Sequence, residues 1–329
     1  MRTVDVDGIG PVSRIGLGTW QFGSREWGYG DAYADRMARD IVRRGLELGI
    51  TLFDTAEVYG LGRSERILAD ALGEDRDRVT VASKIFPVAP VPPVVRRRWA
   101  GSARRLGLST IPLYQVHQPN PVVPDSVIMP AFRELLDEGR IRAAGVSNYS
   151  LARWRAADTA LGRPVVSNQV HFSLAHSGPL DDLVPFAERE GRVVIAYSPL
   201  AQGLLGGRYG PDHRPGGVRS VNPLFGTENL RRAEPLLALL REVADAHRAR
   251  PAQIALAWLL GLPRVVVIPG ASDVEQLESN AAAAGIELAR DEQEALTAAA
   301  RAFTPVSAAR TLVDGVREQW AAVRARVGG

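Results

Sequence analysis

The sequence predicts a closed (β/α)8 TIM barrel, and three observations carry that expectation. Eight strand-like runs follow one another, each succeeded by a helical pattern or a long loop, which is the order of a parallel sheet with helices outside. The runs are nearly continuous in Val, Ile and Ala, as strands covered on both faces should be. An open doubly wound sheet would usually announce a dinucleotide with G-x-G-x-x-G after its first strand, and IGLGTWQFG does not fit that spacing.

Val4–Val6 and Val12–Ile15 flank Gly8 and Gly10 and read as a hairpin, expected to close the barrel bottom. IGLGTW opens the strand series, and a helix over about 35–48 should stop at Gly49, a residue suited to the left-handed conformation after a helix. TLFDTA, the helix SERILADAL, VTVASK, a Trp-containing helix, LYQVH, a helix near 132–137 and IRAAGVSN continue the alternation. VVSNQV, the helix DDLVPFAERE, VVIAYSPL, two helical stretches and VVVIPG complete it. Residues 211–223, PDHRPGGVRSVNP, form a long loop, and loops of that length in compact domains usually serve function. No linker divides the chain, so residues 1–329 are expected to form one domain with long loops over the C-terminal face.

Composition narrows the function classes. An apolar fraction of 46% with 23% charged residues suits a soluble protein with a sizeable core. The net charge is only +3, so the sequence pI of about 9.5 reflects arginine's high pKa more than an unbalanced surface. The densest basic run, Arg96–Arg98 with Arg104 and Arg105, is expected to be a solvated helix face opposite Val95, Trp99 and Leu106, not a nucleic-acid patch. The chain has no cysteine, which excludes disulfides and thiolate sites, and its histidines show no metal-ligand spacing, so no metal is expected. No apolar stretch suits a signal peptide or a membrane span, which points to a cytoplasmic protein.

In a barrel of this kind, chemistry belongs at the C-terminal ends of the strands. Asp54 ends TLFD and Tyr59 follows in the loop. Lys84, the only lysine among 40 basic residues, ends VASK, and His117 ends LYQVH. Asn148, Gln169, Tyr197 and Ser198 arrive at the same mouth from later strands. An ammonium beside a tyrosine favours its phenolate, a carboxylate keeps that ammonium charged, and a neutral histidine can orient a substrate oxygen. Carbonyl reduction has those requirements: hydride to carbon and proton to oxygen.

The motifs FDTAEVYG (53–60), VASK (81–84), LYQVHQP (113–119), GVSN (145–148), AYSPLAQGLL (196–205) and IPGASDVEQLESN (268–280) closely resemble those of the aldo-keto reductase superfamily, in order and spacing. The resemblance implies reduction of an aldehyde or ketone with NADPH, NADH being the alternative, and a nicotinamide dinucleotide bound extended without a Rossmann domain. It makes Tyr59 the general acid, Lys84 and Asp54 its support, and His117 the carbonyl-orienting group. Ser147, Asn148 and Gln169 correspond to nicotinamide carboxamide contacts, Tyr197 to the ring that stacks on the nicotinamide, and Ser198, Pro199, Leu200 and Gly203 to pyrophosphate contacts. The resemblance also makes Gly18, Thr19, Trp20 and Asp54 cofactor contacts. The turn at Ile268, Gly270, Ser272, Gln276 and Asn280 corresponds to the adenosine 2′-phosphate and adenine site. Trp20, Trp27 and Tyr29, with Tyr59 and His117, correspond to the substrate wall.

Three departures stand out. The turn Gly270-Ala271-Ser272-Asp273 holds no Lys or Arg, and Gln276 stands where some relatives have arginine. Gln118-Pro119-Asn120 replaces a commoner ending in Asp, and Phe172 replaces Tyr, read as packing. Two other readings stay open on sequence: a nucleotide-binding regulatory or accessory protein with little turnover, and a barrel aldolase using Lys84 as a Schiff-base nucleophile.

Overall fold

The computed structural model describes residues 1–23 and 31–306. Trp27 and Tyr29, named above as substrate contacts, lie outside the described residues.

Strands β1 (Thr3–Val6) and β2 (Gly10–Ser13) pair antiparallel, with Val4 opposite Val12 and Val6 opposite Gly10. Gly8 turns the hairpin at φ +74°, and a Cβ there would meet the Arg142 carbonyl oxygen at 2.8 Å. Both facts demand glycine. Val6, Ile9 and Val12 fill the barrel floor against Leu52, Leu113, Val193, Ile195 and Val266, so the hairpin does close the bottom.

The barrel strands are β3 (Leu17–Gly18), β4 (Leu52–Asp54), β5 (Thr80–Ile85), β6 (Ile111–Val116), β7 (Ile141–Ser147), β8 (Ser167–His171), β9 (Val193–Tyr197) and β10 (Val265–Val267). They lie side by side in chain order, all parallel. Closure comes where Ile15 bridges Val267: the Gly16 N–H donates to Val267 O at 2.8 Å and the Val267 N–H to Arg14 O at 2.9 Å. Strand periodicity of two then decides what faces where. Leu52, Ala82, Leu113, Ala143, Val193 and Val266 form an inner layer, while Phe53, Val81, Tyr114, Val146 and Val194 join the larger core under the helices.

The helices are α1 (Trp20–Gly23), α2 (Asp31–Glu47), α3 (Arg63–Leu72), α4 (Pro92–Leu106), α5 (Asp125–Asp137), α6 (Leu151–Leu161), α7 (Leu183–Arg189), α8 (Thr227–Ala246), α9 (Pro251–Gly261), α10 (Val274–Ala282) and α11 (Arg290–Ala302). Local sequence sets their ends. Pro92 and Pro93 open α4, where the missing N–H costs nothing, and Ser150 caps α6 by accepting from the Arg153 N–H at 3.3 Å. Gly49 takes φ +80° after α2, as expected. The 211–223 loop holds only a short 3-10 turn at Gly217–Val221, with another beginning at Pro223. It is pinned by Asn222, whose amide donates to Gln202 Oε1 at 3.0 Å.

The arginines of α4 do not form one solvated face. Arg96 pairs with exposed Glu134 and Glu138, but Arg98 and Arg105 turn inward onto Glu57 and Glu65. The reason is tertiary: α3 and the loop before it place two carboxylates under α4, and a helical pattern shows faces, not what lies beneath them. Phe172 is fully buried edge-on to Trp258, the packing role expected of it. Among the described residues no helix is long and apolar enough to cross a membrane, and no cluster of three His, Asp or Glu could hold a metal.

Candidate active site

The inward positions at the strand ends bring the polar residues to one mouth. Asp54 is the last residue of β4, Lys84 is next to last in β5, and His117 follows β6 directly. Lys84 is fully buried and Asp54 is 2% exposed. The ammonium donates to Asp54 Oδ1 at 2.5 Å, to the Thr55 carbonyl at 2.9 Å and to the Tyr59 hydroxyl at 3.3 Å. The other Asp54 oxygen accepts the Gln169 amide at 2.7 Å. Both carboxylate oxygens and all three ammonium protons therefore have partners, the condition under which a buried ion pair persists.

Burial by itself pulls the Lys84 pKa down, but Asp54 and the Tyr59 hydroxyl outweigh it and leave the pKa above its usual value. The amine is thus a cation, which disarms it as a Schiff-base nucleophile. For Tyr59 the balance differs from the sequence expectation. Burial raises its pKa, and Lys84 offsets that only in part, so the net direction is upward. Asp54 explains the shortfall, since it claims the ammonium at 2.5 Å against 3.3 Å for the phenol. Tyr59 therefore stands as a protonated phenol at neutral pH. His117 is driven down to about 3, by burial and then by the charge on Lys84, so its ring is neutral. It stands edge-on to Tyr59, with ring centroids 5.7 Å apart, and edge-on to Phe86 at 5.9 Å.

Residues from β7, β8, β9 and β10, neighbours in the barrel, form the adjoining half of the mouth. Asn148, at φ +61°, donates to the Ser147 hydroxyl at 3.1 Å and to the His117 carbonyl at 3.2 Å. Its own Oδ1 accepts the Tyr197 hydroxyl at 3.0 Å. The Tyr197 ring stacks on His171 at 5.4 Å, and His171 stacks on His176 at 4.5 Å. Ser198 to Gly203 form a tight left-handed turn past Pro199, in which the Ala201 N–H donates to Ser198 O and the Gly203 N–H to Leu200 O. Beyond it, Asp273 caps α10 by accepting the Gln276 N–H at 2.7 Å, while Gln276 Oε1 accepts the Ser272 N–H at 3.1 Å. Asn280 donates to Gly270 O at 3.3 Å. A Cβ on Gly18 would meet the Ile268 carbonyl at 2.8 Å, so β3 and β10 close here only through glycine.

This donor set fits an extended nicotinamide dinucleotide: amides and a hydroxyl for a carboxamide, an aromatic ring for a heterocycle, a tight turn and then a helix start for phosphates. Several expected contacts are already committed, among them the Asn148 amide, which bonds Ser147, His117 O and Tyr197. The Thr19 hydroxyl is buried, bonded to Asp54 O at 2.9 Å and Ser64 Oγ at 2.8 Å, so it pegs the first loop to the second. The Gln169 amide N–H faces Asp54, which leaves its carbonyl oxygen for a carboxamide. Trp20 is 45% exposed at the mouth.

Sequence reasoning missed a clamp. Glu57 accepts the Phe86 N–H at 2.7 Å and an Arg98 Nε–H at 3.0 Å, and Arg98 also donates to Phe86 O at 2.5 Å. This ties the loop carrying Tyr59 to the segment just after Lys84. The visible signal was an acid at 57 between Asp54 and Tyr59. Replacing Glu57 with Ala leaves a half-buried guanidinium unpaired, so a loss of about 2–4 kcal/mol in stability is expected, read from urea melts. Gln at the same place should retain the Phe86 contact and lose about half as much.

A closed barrel with a buried carboxylate–ammonium–phenol chain at its C-terminal mouth is the frame of a barrel enzyme. The chain belongs to the aldo/keto reductase family, which it matches over residues 14–301. It is 73% identical over 319 residues to an uncharacterized oxidoreductase of Mycobacterium tuberculosis, covering 97% of this chain and 99% of that one. Among solved structures it resembles a glycerol dehydrogenase from Gluconobacter oxydans (TM-score 0.84, 29% identity, 93% of this chain and 98% of that one). It also resembles an aldo/keto reductase from Klebsiella pneumoniae in complex with NADP and acetate (TM-score 0.72, 30% identity, 93% and 96%).

Proposed function

We propose that this protein reduces the carbonyl group of a small aldehyde or ketone to an alcohol, using NADPH and with Tyr59 as general acid. The observation that carries the reading is the Asp54–Lys84–Tyr59 chain, in which a fully buried ammonium spans a carboxylate and a phenol. The NADP-bound Klebsiella relative and the donor set along β7 to β10 support the cofactor.

Ser147, Asn148 and Gln169 would hold the nicotinamide carboxamide, and Tyr197, backed by His171, would support the ring; when bound, the reduced cofactor would supply the hydride for the carbonyl carbon. Neutral His117 orients the substrate oxygen toward Tyr59. The phenolic proton passes to that oxygen, and the phenolate so formed lies beside the Lys84 ammonium, whose charge opposes the build-up of negative charge. Asp54 holds the ammonium in place throughout.

Titration of NADPH and NADH by quenching of intrinsic fluorescence, then a carbonyl panel with the tighter cofactor, tests the reading. Turnover of an activated aldehyde such as a nitrobenzaldehyde is expected. Tight NADPH binding with no turnover across the panel would overturn it in favour of an accessory protein.

The pH dependence follows from the two shifts. Tyr59 is raised, so its acid form persists through neutrality and reduction should fall only as pH climbs past about 10. His117 titrates at about 3, so it should add no acidic limb at mild pH. kcat/KM for reduction is therefore expected to be flat between about pH 5 and 9, and an inflection near the ordinary histidine value of about 6.5 would contradict the neutral His117.

A further inference from the structure

Three hydroxyls with no part in the chemistry above lie directly behind it. Thr19 follows β3, Thr55 follows β4 and Ser64 is the second residue of α3, and all three are fully buried. The Thr55 hydroxyl donates to Ser64 Oγ at 3.0 Å. Ser64 Oγ lies 2.8 Å from both the hydroxyl and the carbonyl oxygen of Thr19, and the Thr19 hydroxyl donates to the Asp54 carbonyl at 2.9 Å. The run of hydroxyls thus leaves the backbone at Thr55 and returns to it at Asp54. Hydrogen bonds linked in this way polarise one another, and a dry interior strengthens each of them.

The two residues enclosed by this ring are the ones that hold Lys84. Asp54 Oδ1 takes the ammonium at 2.5 Å and the Thr55 carbonyl takes it at 2.9 Å. The Ser64 N–H donates to the Tyr59 carbonyl at 3.2 Å, so the same residue anchors the loop that carries the phenol. Glu65, next in α3 and also fully buried, accepts the hydroxyl of Ser83, the residue before Lys84, at 2.6 Å. Its other oxygen accepts Arg105 Nε–H at 2.5 Å. Gly62, at φ +82° ahead of α3, makes room for that arginine, since a Cβ there would collide with Arg105 Nε. Consecutive residues of one helical turn therefore fix the acceptors of the ammonium and the strand that carries it.

We propose that Thr19, Thr55 and Ser64 are positioning residues, whose hydroxyl ring sets how the Lys84 ammonium is divided among Asp54, Thr55 and Tyr59. For its kinetic consequence this rests on the reduction proposed above. With a link of the ring removed, the Thr55 carbonyl is free to turn, and the proton it accepted is left with the Tyr59 oxygen, now at 3.3 Å. A closer ammonium favours the phenolate, so Tyr59 should lose its proton at lower pH. The titratable groups around the phenol are Lys84 from β5, Asp54 from β4, His117 after β6 and Tyr197 from β9, and none of them is altered by changes in the ring.

The chain's single lysine makes the test direct. Protein grown on lysine labelled with 15N at Nζ alone gives one side-chain nitrogen signal, and its shift against pH reports the phenol titrating beside it. Tyr59→Phe identifies that inflection by removing it. In Thr55→Val and Ser64→Ala the inflection is expected about one unit below wild type, while Thr55→Ser, which keeps the hydroxyl, should match wild type. The alkaline limb of kcat/KM should move by the same amount. Circular dichroism shows which variants are folded, and Thr19→Val breaks the ring at its third link should either of the others not fold. An inflection unmoved or raised in a folded variant overturns the proposal, and so does a Thr55→Ser shift as large as that of Thr55→Val. If no carbonyl is turned over, the reductase reading fails, but the nitrogen titration needs no substrate and still decides whether the ring positions Lys84.

Discussion

Tyr59→Phe is expected to lower kcat/KM for carbonyl reduction by about 10²–10⁴-fold, the span typical of removing a positioned general acid. It should do so without unfolding the protein or loosening the cofactor. The phenol reaches Lys84 at 3.3 Å, beyond the usual range for a good hydrogen bond, while the ammonium keeps Asp54 at 2.5 Å and Thr55 O at 2.9 Å. Losing the hydroxyl gives up only the longest of the three ammonium bonds but leaves that buried proton without a partner, so a stability cost of about 1–2 kcal/mol is expected. The ring remains edge-on to His117, so the floor of the site keeps its shape. Steady-state kinetics, a thermal melt and an NADPH titration separate these effects. Retention of more than about a tenth of the wild-type rate would remove Tyr59 from the role of acid.

Strand ends were legible in the sequence because a barrel converts chain position into spatial position. TLFD, VASK and LYQVH each end in a polar residue after an apolar run, and parallel strands in chain order must deliver those ends to one mouth. What the sequence concealed was depth. Arg98 and Arg105 share α4 with solvent-facing arginines, yet each meets a carboxylate about forty positions away, at Glu57 and Glu65. No local pattern encodes such a pair. The balance at Tyr59 was hidden for a related reason: a lysine nearby says which way a phenol's pKa is pushed, but not that Asp54 has the stronger hold on it or that burial pushes harder. Thr19 shows the same limit, since its motif position says that it is near the site while its bonds to Asp54 O and Ser64 say that it is already in use.

Lys84 is where stability and chemistry have to be pulled apart. Lys84→Met should abolish most turnover, but it also leaves the Asp54 carboxylate buried with only Gln169 against it, at a cost of about 3–5 kcal/mol. Loss of activity in that variant alone would not distinguish a missing charge from a damaged fold. Lys84→Arg fares differently. The planar guanidinium is larger than the cavity that encloses the side chain at zero exposure, so overpacking of about 1–3 kcal/mol is expected. Its charge would be drawn to the carboxylate and away from the phenol, leaving turnover reduced by about 10²-fold or more. The decisive variant is the double one, Lys84→Met with Asp54→Asn, which removes both charges and leaves a neutral amide facing Gln169. Urea melts should show most of the lost stability restored, because no unpaired ion remains in the interior. Turnover should stay near the level of Lys84→Met, because the phenolate formed on proton transfer would have no cation beside it. Recovery of both stability and turnover in the double variant would mean that Lys84 serves only to neutralise Asp54. That result would leave the single lysine of this chain a structural residue.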